Sequence, residues 1–318
     1  MKKASYFLLF TLILSLLYFW VIRSSEYGFI NTGKFENFKT DLSKTSIKLD
    51  DLLEAGASKD SIPALTNPKF TDIDHFNMGD DVAGVLVSFY GEERFYPYNI
   101  LVWHEVINDS IGNIDFAVTF CPLCRSAIVF DRKVHGQTLD FGVSGFLYQS
   151  NLLMYDKKTE SFWSQAGLES LVGYYVGTKL KVLPMQMMTF GQVKQKHPQA
   201  KVLSMDTGYD RQYDFYPYGD YQESDDILFP ISVSNKQFKP KEVMFVVPYD
   251  GASIALPYME LLDNKKVVLE FNGKKFEAFR DDDKVTVTMD NEEMPFYYEL
   301  WFSWATQHQD DGIVWPVN

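Results

Sequence analysis

The sequence predicts a mainly β protein, with antiparallel sheets or a partly open barrel built from two related halves, few short helices and one N-terminal transmembrane helix. Three observations predict this class. Aromatic residues make up 16% of the 318 residues, with 19 Tyr and 26 Phe, and aromatic enrichment favours strands over helices. Short apolar runs recur at intervals of about 8 to 12 residues between turn signals, which is typical of antiparallel β folds. One hairpin pattern also occurs twice in the chain.

The N-terminal segment predicts a membrane anchor. Two lysines at Lys2 and Lys3 precede Tyr6–Ile22, a run without a charged residue. A spanning helix needs about 20 apolar residues and tolerates ~17, and the lysines place its start in the cytoplasm. We therefore expect residues 1–23 to be an uncleaved signal anchor in the lipid bilayer. The body would lie on the periplasmic or extracellular face, and a cleaved, secreted form is the alternative.

Residues 24–67 read as a polar stalk that leads to a short helix. The phrase "DLSKTSIKLDDLLEAG" places Leu49, Leu52 and Leu53 on one helical face, and Gly56 then supplies the stop.

Residues 68–235 are predicted to form a β domain that carries the cysteines. Apolar residues alternate at Val85, Val87 and Phe89, as expected of a half-buried strand. One helix is expected within this domain, because Thr189 and Gln192 match a capping box.

Residues 236–318 are predicted to form a second β half, because they repeat a pattern from the first. "VLVSFYGEERFYPY" (Val85–Tyr98) aligns with "FVVPYDGASIALPY" (Phe245–Tyr258) at a constant offset, without a gap. Both copies read as a strand, a Gly turn and a second strand that ends in Pro-Tyr, and two such copies suggest related sheets. The alternative is a chance similarity between two aromatic hairpins.

The charge balance excludes one class of partner. The formal net charge is −13, whereas a protein that binds nucleic acid needs a basic face. No nucleic-acid partner is therefore expected.

The only two cysteines, Cys121 and Cys124, lie in "TFCPLCRSAI". The first interpretation is thiol redox chemistry, with both cysteines catalytic, no cofactor required and a protein thiol or disulfide as partner. The second is a zinc or copper site in which His104, and less directly Met154, join the two sulfurs. The third is a non-catalytic scaffold or binding protein with an inert disulfide. A thioredoxin-type site needs a helix after the cysteines, but Ser126–Val134 reads as a strand.

Six phrases in series resemble one known family. They are "WHEVIND", "VTFCPLCRSAIVFDR", "FGVSGFLYQSNLLMYD", "TESFWSQAG", "GTKLKVLP" and "HPQAKVLS". Together they are similar to the family called domain of unknown function 3179, whose activity is unassigned. Some members carry selenocysteine within the motif equivalent to "CPLC". The resemblance therefore implies chemistry at Cys121 or Cys124, without showing which of the two reacts.

Two further stretches are expected near the cysteines. Polar and aromatic groups interleave in "SNLLMYDKKTESFWSQ" and could line a pocket beside the sulfurs, although ordinary hairpin turns also explain them. The members of interest are Asn151, Asp156, Glu160, Ser161, Trp163 and Gln165. The aromatic and acidic stretch Tyr209–Tyr221 is read as an exposed loop that covers the site or meets a partner.

Overall fold

The structure is a computed structural model that describes residues 32–263, 266–281 and 284–315. The described chain contains 24 β-strands and four short α-helices, which confirms a mainly β protein with few short helices. The helices are α1 (Tyr98–His104), α2 (Phe190–Lys196), α3 (Tyr258–Asp263) and α4 (Trp301–Gln307).

The strands are numbered along the chain. The first eight are β1 (Leu52–Glu54), β2 (Leu65–Thr66), β3 (Phe70–Asp72), β4 (Ala83–Phe89), β5 (Glu92–Pro97), β6 (Val106–Ile111), β7 (Ile114–Cys121) and β8 (Ser126–Asp131). The next eight are β9 (Lys133–Val134), β10 (Gln137–Thr138), β11 (Phe141–Tyr148), β12 (Asn151–Asp156), β13 (Phe162–Ser164), β14 (Glu169–Val172), β15 (Gln186–Thr189) and β16 (Lys201–Leu203). The last eight are β17 (Val243–Tyr249), β18 (Ala252–Pro257), β19 (Lys266–Phe271), β20 (Lys274–Asp281), β21 (Lys284–Met289), β22 (Glu292–Glu293), β23 (Tyr297–Leu300) and β24 (Gly312–Val314).

These strands form five sheets, and none of those in the described chain closes into a barrel. The largest has eight strands in the order β2-β6-β7-β8-β23-β17-β18-β24. Two five-stranded sheets have the orders β1-β11-β12-β13-β14 and β15-β4-β5-β16-β3, and smaller sheets are β19-β20-β21-β22 and β10-β9. Most neighbours are antiparallel, but three pairs are parallel: β16 with β5, β24 with β18 and β2 with β6. The sheets are therefore mixed as well as antiparallel.

The hairpin found twice in the sequence is a strand-turn-strand unit in both places. The first and last residues of β4 and β5 recur in β17 and β18 at one constant offset along the chain. A helix directly follows each hairpin, α1 after β5 and α3 after β18. The next hairpin keeps the same displacement, from β6–β7 to β19–β20. Both first hairpins turn through a glycine with positive φ, Gly91 at +80° and Gly251 at +77°.

A later unit also recurs. The order β15-α2-β16 returns as β23-α4-β24, with the same element lengths and the same spacing between elements. β23 comes from the C-terminal unit, yet it lies beside β8, with Tyr298 opposite Ala127. The pairing joins the cysteine hairpin to the C-terminal strands in one sheet. One hydrophobic core accordingly contains Val118 and Ile128 together with Phe245 and Trp301.

The stretch predicted as a stalk packs against the body. Phe35, Leu49 and Leu52 are buried in a second apolar cluster with Phe146 and Phe162. This cluster lies on the sheet that contains β11 and β13, so residues from Phe35 onward belong to the folded unit.

The helix expected around Leu49–Leu53 is not observed. Leu49–Asp51 is a single 3₁₀ turn, and Leu52–Glu54 forms β1, antiparallel to β11. Leu52 is buried and Leu53 is half-buried, as the alternation of a strand requires. Pairing with a neighbouring strand has overridden the local helical pattern.

Two other expectations concern helices. The helix predicted from Thr189 and Gln192 is α2, and its capping box is formed in both directions. The transmembrane helix predicted at Tyr6–Ile22 lies outside the described residues. Within the described ranges, no helix is long and apolar enough to cross a membrane.

Candidate functional site

The two cysteines lie on a tight turn between two strands. Cys121 is the last residue of β7 and pairs with Ser126, the first residue of β8. Arg125 completes the turn in the left-handed region, with a φ of +51°. The backbone amide of Leu300 on β23 donates to the carbonyl of Cys124 at 3.0 Å. The turn therefore joins two strands, as the sequence predicts, and is braced by a third.

Both thiols are free and buried, with exposures of 1% for Cys121 and 0% for Cys124. The two thiols are close enough for each to affect the ionisation of the other. The Cys124 thiol also lies 3.1 Å from the carbonyl oxygen of Ser150. A thiol has one proton, so Cys124 donates to one acceptor at a time. When Cys121 is ionised, its thiolate is the stronger acceptor because hydrogen bonds to charged groups are the stronger ones.

The surroundings push the two thiol pKa values apart. Burial opposes ionisation of Cys121, but hydrogen bonds from the Cys124 thiol and from the amides of Cys124, Leu152 and Leu123 outweigh it and lower the Cys121 pKa. Burial raises the pKa of Cys124, and the negative charge of Cys121 raises it further. A thiolate at Cys121 beside a protonated thiol at Cys124 is an arrangement that a two-electron oxidation can convert into a disulfide.

A buried polar network holds the base of this turn. Ser126 donates to the side-chain oxygen of Gln165 at 2.7 Å, and the Gln165 amide donates to Thr119 at 3.1 Å. Asn151 donates to the same Gln165 oxygen at 3.2 Å. These bonds tie the ends of β7 and β8 to β12 and to the residue that follows β13.

The polar stretch named from the sequence thus divides into two groups. Asn151 and Gln165 lie at the base of the cysteine turn. Trp163 instead donates to Asp156 at 3.0 Å, and Glu160 pairs with Lys59 at 2.9 Å. The Ser161 hydroxyl contacts that of Thr159 at 2.7 Å. These last groups stabilise the hairpin of β12 and β13.

A long irregular segment, residues 204–242, covers the turn, and we call it the covering segment. The side-chain amide of Gln222 donates to the carbonyl of Pro122 at 2.5 Å. The aromatic stretch within it is partly buried, with Tyr213 and Tyr221 at 7% and 4% exposure, while Phe215 is 56% exposed. The loop expected at Tyr209–Tyr221 therefore lies over the site, and only some of its aromatic rings face solvent.

A small cavity of about 80 Å³ lies beside Cys121. Its polar wall is Glu105, and Tyr218 and Phe229 of the covering segment line it from the outside. Glu105 directly follows α1 with a φ of +56°. Burial raises the pKa of its carboxyl well above the usual range, and the negative charge of Cys121 acts in the same direction. A neutral carboxyl group thus adjoins the sulfur that ionises more easily.

A second acid lies near Cys124. Glu299 on β23 is fully buried, and both of its carboxyl oxygens lack a hydrogen-bond partner among the described residues. Burial raises its pKa to about 8, against the opposing effect of the Ser303 hydroxyl. The hydroxyls of Ser303 and Ser150 are also buried, and neither has a hydrogen-bond partner of good geometry among the described residues. Unsatisfied buried polar groups are rare and call for an explanation.

His104 and Met154, the additional metal ligands considered from the sequence, are engaged elsewhere. The two ring nitrogens of His104 contact the carbonyl of Pro63 at 2.7 Å and the hydroxyl of Tyr213 at 2.8 Å. Because a carbonyl only accepts, Nδ1 carries the proton and Nε2 accepts from Tyr213. Burial lowers the His104 pKa to about 4. Met154 is buried within β12, opposite Val143 and Trp163.

The described residues contain no group of three or more His, Cys, Asp or Glu side chains arranged to hold a metal ion. A closed zinc site needs four ligands, and the turn itself supplies two.

A larger cavity, of about 490 Å³, lies away from the cysteines between β15 and β21. Its walls include Met185, Met188, Val285 and Met294. In the repeat, β15 corresponds to β23. The cavity beside β15 therefore lies where the second copy has the junction of β23 with β8. It contributes nothing to the chemistry of the thiols.

The sequence interpretation missed Glu105 and Glu299. A signal was present for each, since Glu105 follows the "WH" of "WHEVIND" and Glu299 is the lone charge in "FYYELWFSW". A single acid among aromatic residues in a strand-forming stretch is seldom placed in a core without a reason.

Comparison with known proteins gives a family and no activity. A family model described as a protein of unknown function, DUF3179, matches residues 59–295. No curated protein and no solved structure matches the chain.

Proposed function

The chain belongs to the DUF3179 family, a description that assigns no activity, and we propose that it is a thiol redox protein. In this proposal Cys121 and Cys124 interconvert between a dithiol and a disulfide. Cys121 reacts first as the thiolate, and Cys124 then closes the disulfide.

One observation supports the proposal above the others. Both free thiols lie on one tight turn between β7 and β8, and their surroundings lower the pKa of Cys121 and raise that of Cys124. A pair with one ionised and one protonated member is suited to stepwise exchange, because a thiolate is the nucleophile in such reactions. Because the loop between the cysteines is short, a disulfide there would add little to the free energy of unfolding. A purely structural role for the disulfide is therefore not favoured.

The carboxyl group of Glu299 can accept the proton that Cys124 loses. Closure of the disulfide requires Cys124 to lose its proton and attack the sulfur of Cys121. When it is ionised, Glu299 raises the pKa of the Cys124 thiol by its negative charge, and in that state its carboxylate oxygens can accept the proton. With a pKa of about 8, the carboxyl group exchanges protons near neutral pH. Reduction of the disulfide by a protein thiol would complete the cycle.

The location of the reaction follows from the N-terminus. We infer that Tyr6–Ile22 tethers the protein to the bilayer, with residues after Arg23 on the periplasmic or extracellular side, because two lysines precede the uncharged run. Reporter fusions at the C-terminus test this orientation. Activity of an alkaline phosphatase fusion supports it, and activity only of a reporter that needs the cytoplasm contradicts it.

A comparison of Cys121→Ser, Cys124→Ser and the unchanged protein tests the redox proposal. Each would be oxidised, reduced with dithiothreitol and analysed for free thiols by mass-tag labelling, with metal content measured in parallel. We expect two thiols to disappear and return reversibly in the unchanged protein, and the melting temperature of each variant to stay within a few degrees. A bound metal that is lost with either cysteine, or unfolding of both variants, would favour the zinc, copper or structural alternatives.

A further inference from the structure

We propose that the oxidant of this dithiol is a small hydroperoxide, hydrogen peroxide being the simplest, and that it reacts in the cavity beside Cys121 with Glu105 as proton donor. The inference rests on the proposed thiol redox function and adds the class of oxidant and a catalytic residue.

The size of the cavity limits what can reach the sulfur of Cys121. Its volume is about 80 Å³, while a cavity needs about 10–15 Å³ on the same measure to hold one water. Pockets for drug-sized ligands are larger, about 300–1,000 Å³. The space therefore suits a molecule of a few heavy atoms, such as a small hydroperoxide, better than a peptide disulfide.

The walls of the cavity restrict access in the same way. Cys121 has 1% exposure, and the inner wall contains the buried side chains of Leu123 and Leu152. Tyr218 and Phe229 of the covering segment close the outer side, and both are half-buried. Attack on a disulfide needs a straight approach of the thiolate to a sulfur atom. With the covering segment in this position, a bulky disulfide should therefore react more slowly than a small hydroperoxide.

Glu105 is held where a proton donor is needed. Its backbone amide donates to Leu101 at 2.7 Å, and its carbonyl accepts from Phe120 at 2.8 Å. These bonds fix the residue between α1 and β7, and its side chain lines the cavity with Cys121. Burial raises the pKa of the carboxyl group, which favours the protonated form that can donate to a leaving oxygen.

The reaction balances in two steps. The Cys121 thiolate attacks one oxygen of the hydroperoxide, the O–O bond breaks, and the leaving hydroxide takes the proton of Glu105 to form water. Cys121 is then a sulfenic acid. The Cys124 sulfur attacks the Cys121 sulfur, the S–O bond breaks, and the hydroxide leaves with the Cys124 proton as a second water. One hydroperoxide is reduced and two thiols are oxidised to a disulfide, which a dithiol reductant converts back.

The test measures disulfide formation in the reduced full-length protein with three oxidants: hydrogen peroxide, cumene hydroperoxide and oxidised glutathione. We expect hydrogen peroxide to react at least tenfold faster than either bulky oxidant. Glu105→Gln should slow the hydrogen peroxide reaction by tenfold or more, because general acid catalysis typically contributes 10²–10⁴-fold. Glu223→Gln, which changes an exposed acid of the covering segment, is the matched control and should leave the rate unchanged.

A second measurement does not depend on how Glu105→Gln folds. In Cys124→Ala the sulfenic acid of Cys121 cannot be resolved, so dimedone added in denaturant after the folded protein has been exposed to hydrogen peroxide should label that residue, as seen by peptide mass spectrometry. Oxidised glutathione reacting as fast as hydrogen peroxide, or no dimedone adduct, would refute the inference while leaving the redox function in place. If none of the three oxidants produces a disulfide, the redox function fails as well.

Discussion

Cys121 and Cys124 are equally buried but chemically different, and the difference comes from single hydrogen bonds. Cys121 receives backbone amide donors from Leu123, Cys124 and Leu152, together with the Cys124 thiol. Cys124 faces the carbonyl of Ser150 and the acid Glu299. Donors favour a thiolate, whereas a carbonyl and a negative charge favour the thiol. The groups around the two cysteines therefore determine which thiol ionises first and reacts as the nucleophile.

Removal of the Cys124 thiol should raise the Cys121 pKa. In Cys124→Ala one donor to the Cys121 sulfur is lost, so the midpoint of its pH-dependent reaction with iodoacetamide should move to higher pH. Cys124→Ser, which keeps a donor, should move it less. Equal midpoints in the two variants would contradict the hydrogen-bond account.

The titratable groups that face the pair are Glu105 from the end of α1, Glu299 from β23, and Tyr216, Tyr218 and Tyr221 from the covering segment.

Replacement of Glu299 by glutamine should change how stability depends on pH. The folded-state pKa of Glu299 is about 8, above the ordinary value of about 4.3 for an unfolded chain. Between these values the folded state binds more protons than the unfolded state, so Glu299 makes stability fall as pH rises. Glu299→Gln should therefore gain stability relative to the unchanged protein as the pH rises from 5 to 8, by about 4 kcal/mol. Urea unfolding at several pH values measures the difference, and parallel curves would rule out a buried titrating carboxyl.

At the scale of elements, the turn depends on the network that joins β7 and β8 to β12 and to the residue after β13. Gln165 contacts Ser126, Thr119 and Asn151. In Gln165→Ala these groups lose partners in a buried site, which should lower the free energy of unfolding by about 2–4 kcal/mol. Gln237→Ala, at an exposed position, should change it by less than about 0.5 kcal/mol. Similar losses in both variants, measured by urea unfolding, would show that the network does not stabilise the turn.

The repeated hairpins provide a matched pair of positions. Gly91 and Gly251 have φ values of +80° and +77°, and a methyl group at either would meet nothing within 4 Å. The effect of alanine is therefore confined to backbone strain, about 1 kcal/mol at each site. Thermal or urea unfolding of Gly91→Ala and Gly251→Ala should give losses that agree within about 0.5 kcal/mol. A loss at one site alone would show that the two turns are not equivalent.

Across the whole molecule, local patterns were predicted well and distant contacts were not. The hairpins, the capping box at Thr189 and the strand-turn-strand setting of the cysteines depend on neighbouring residues, so the sequence indicates them directly. The pairing of β23 with β8 joins Tyr298 to Ala127, far apart in the chain, and no local signal specifies it. That pairing places Glu299, a residue of β23, near Cys124.

The same reason explains the helix that was wrongly expected at Leu49–Leu53. The leucine spacing fits a helical face, but the segment pairs with β11, and Leu52 lies opposite Tyr148. Hydrogen bonds to an existing strand and burial of Leu52 outweigh a weak helical preference. For His104 the residue type suggested a ligand, whereas its two hydrogen bonds, to Pro63 and Tyr213, come from distant parts of the chain.

The equilibrium reduction potential of the Cys121–Cys124 pair tests the central claim most directly. The full-length protein would be equilibrated with dithiothreitol at a series of redox ratios, quenched with acid, and labelled with a mass tag for free thiols. A working pair should form a reversible intramolecular disulfide with a potential above about −300 mV, since structural disulfides lie below that value. A pair that stays reduced at every ratio, or a potential below about −300 mV, would contradict the account.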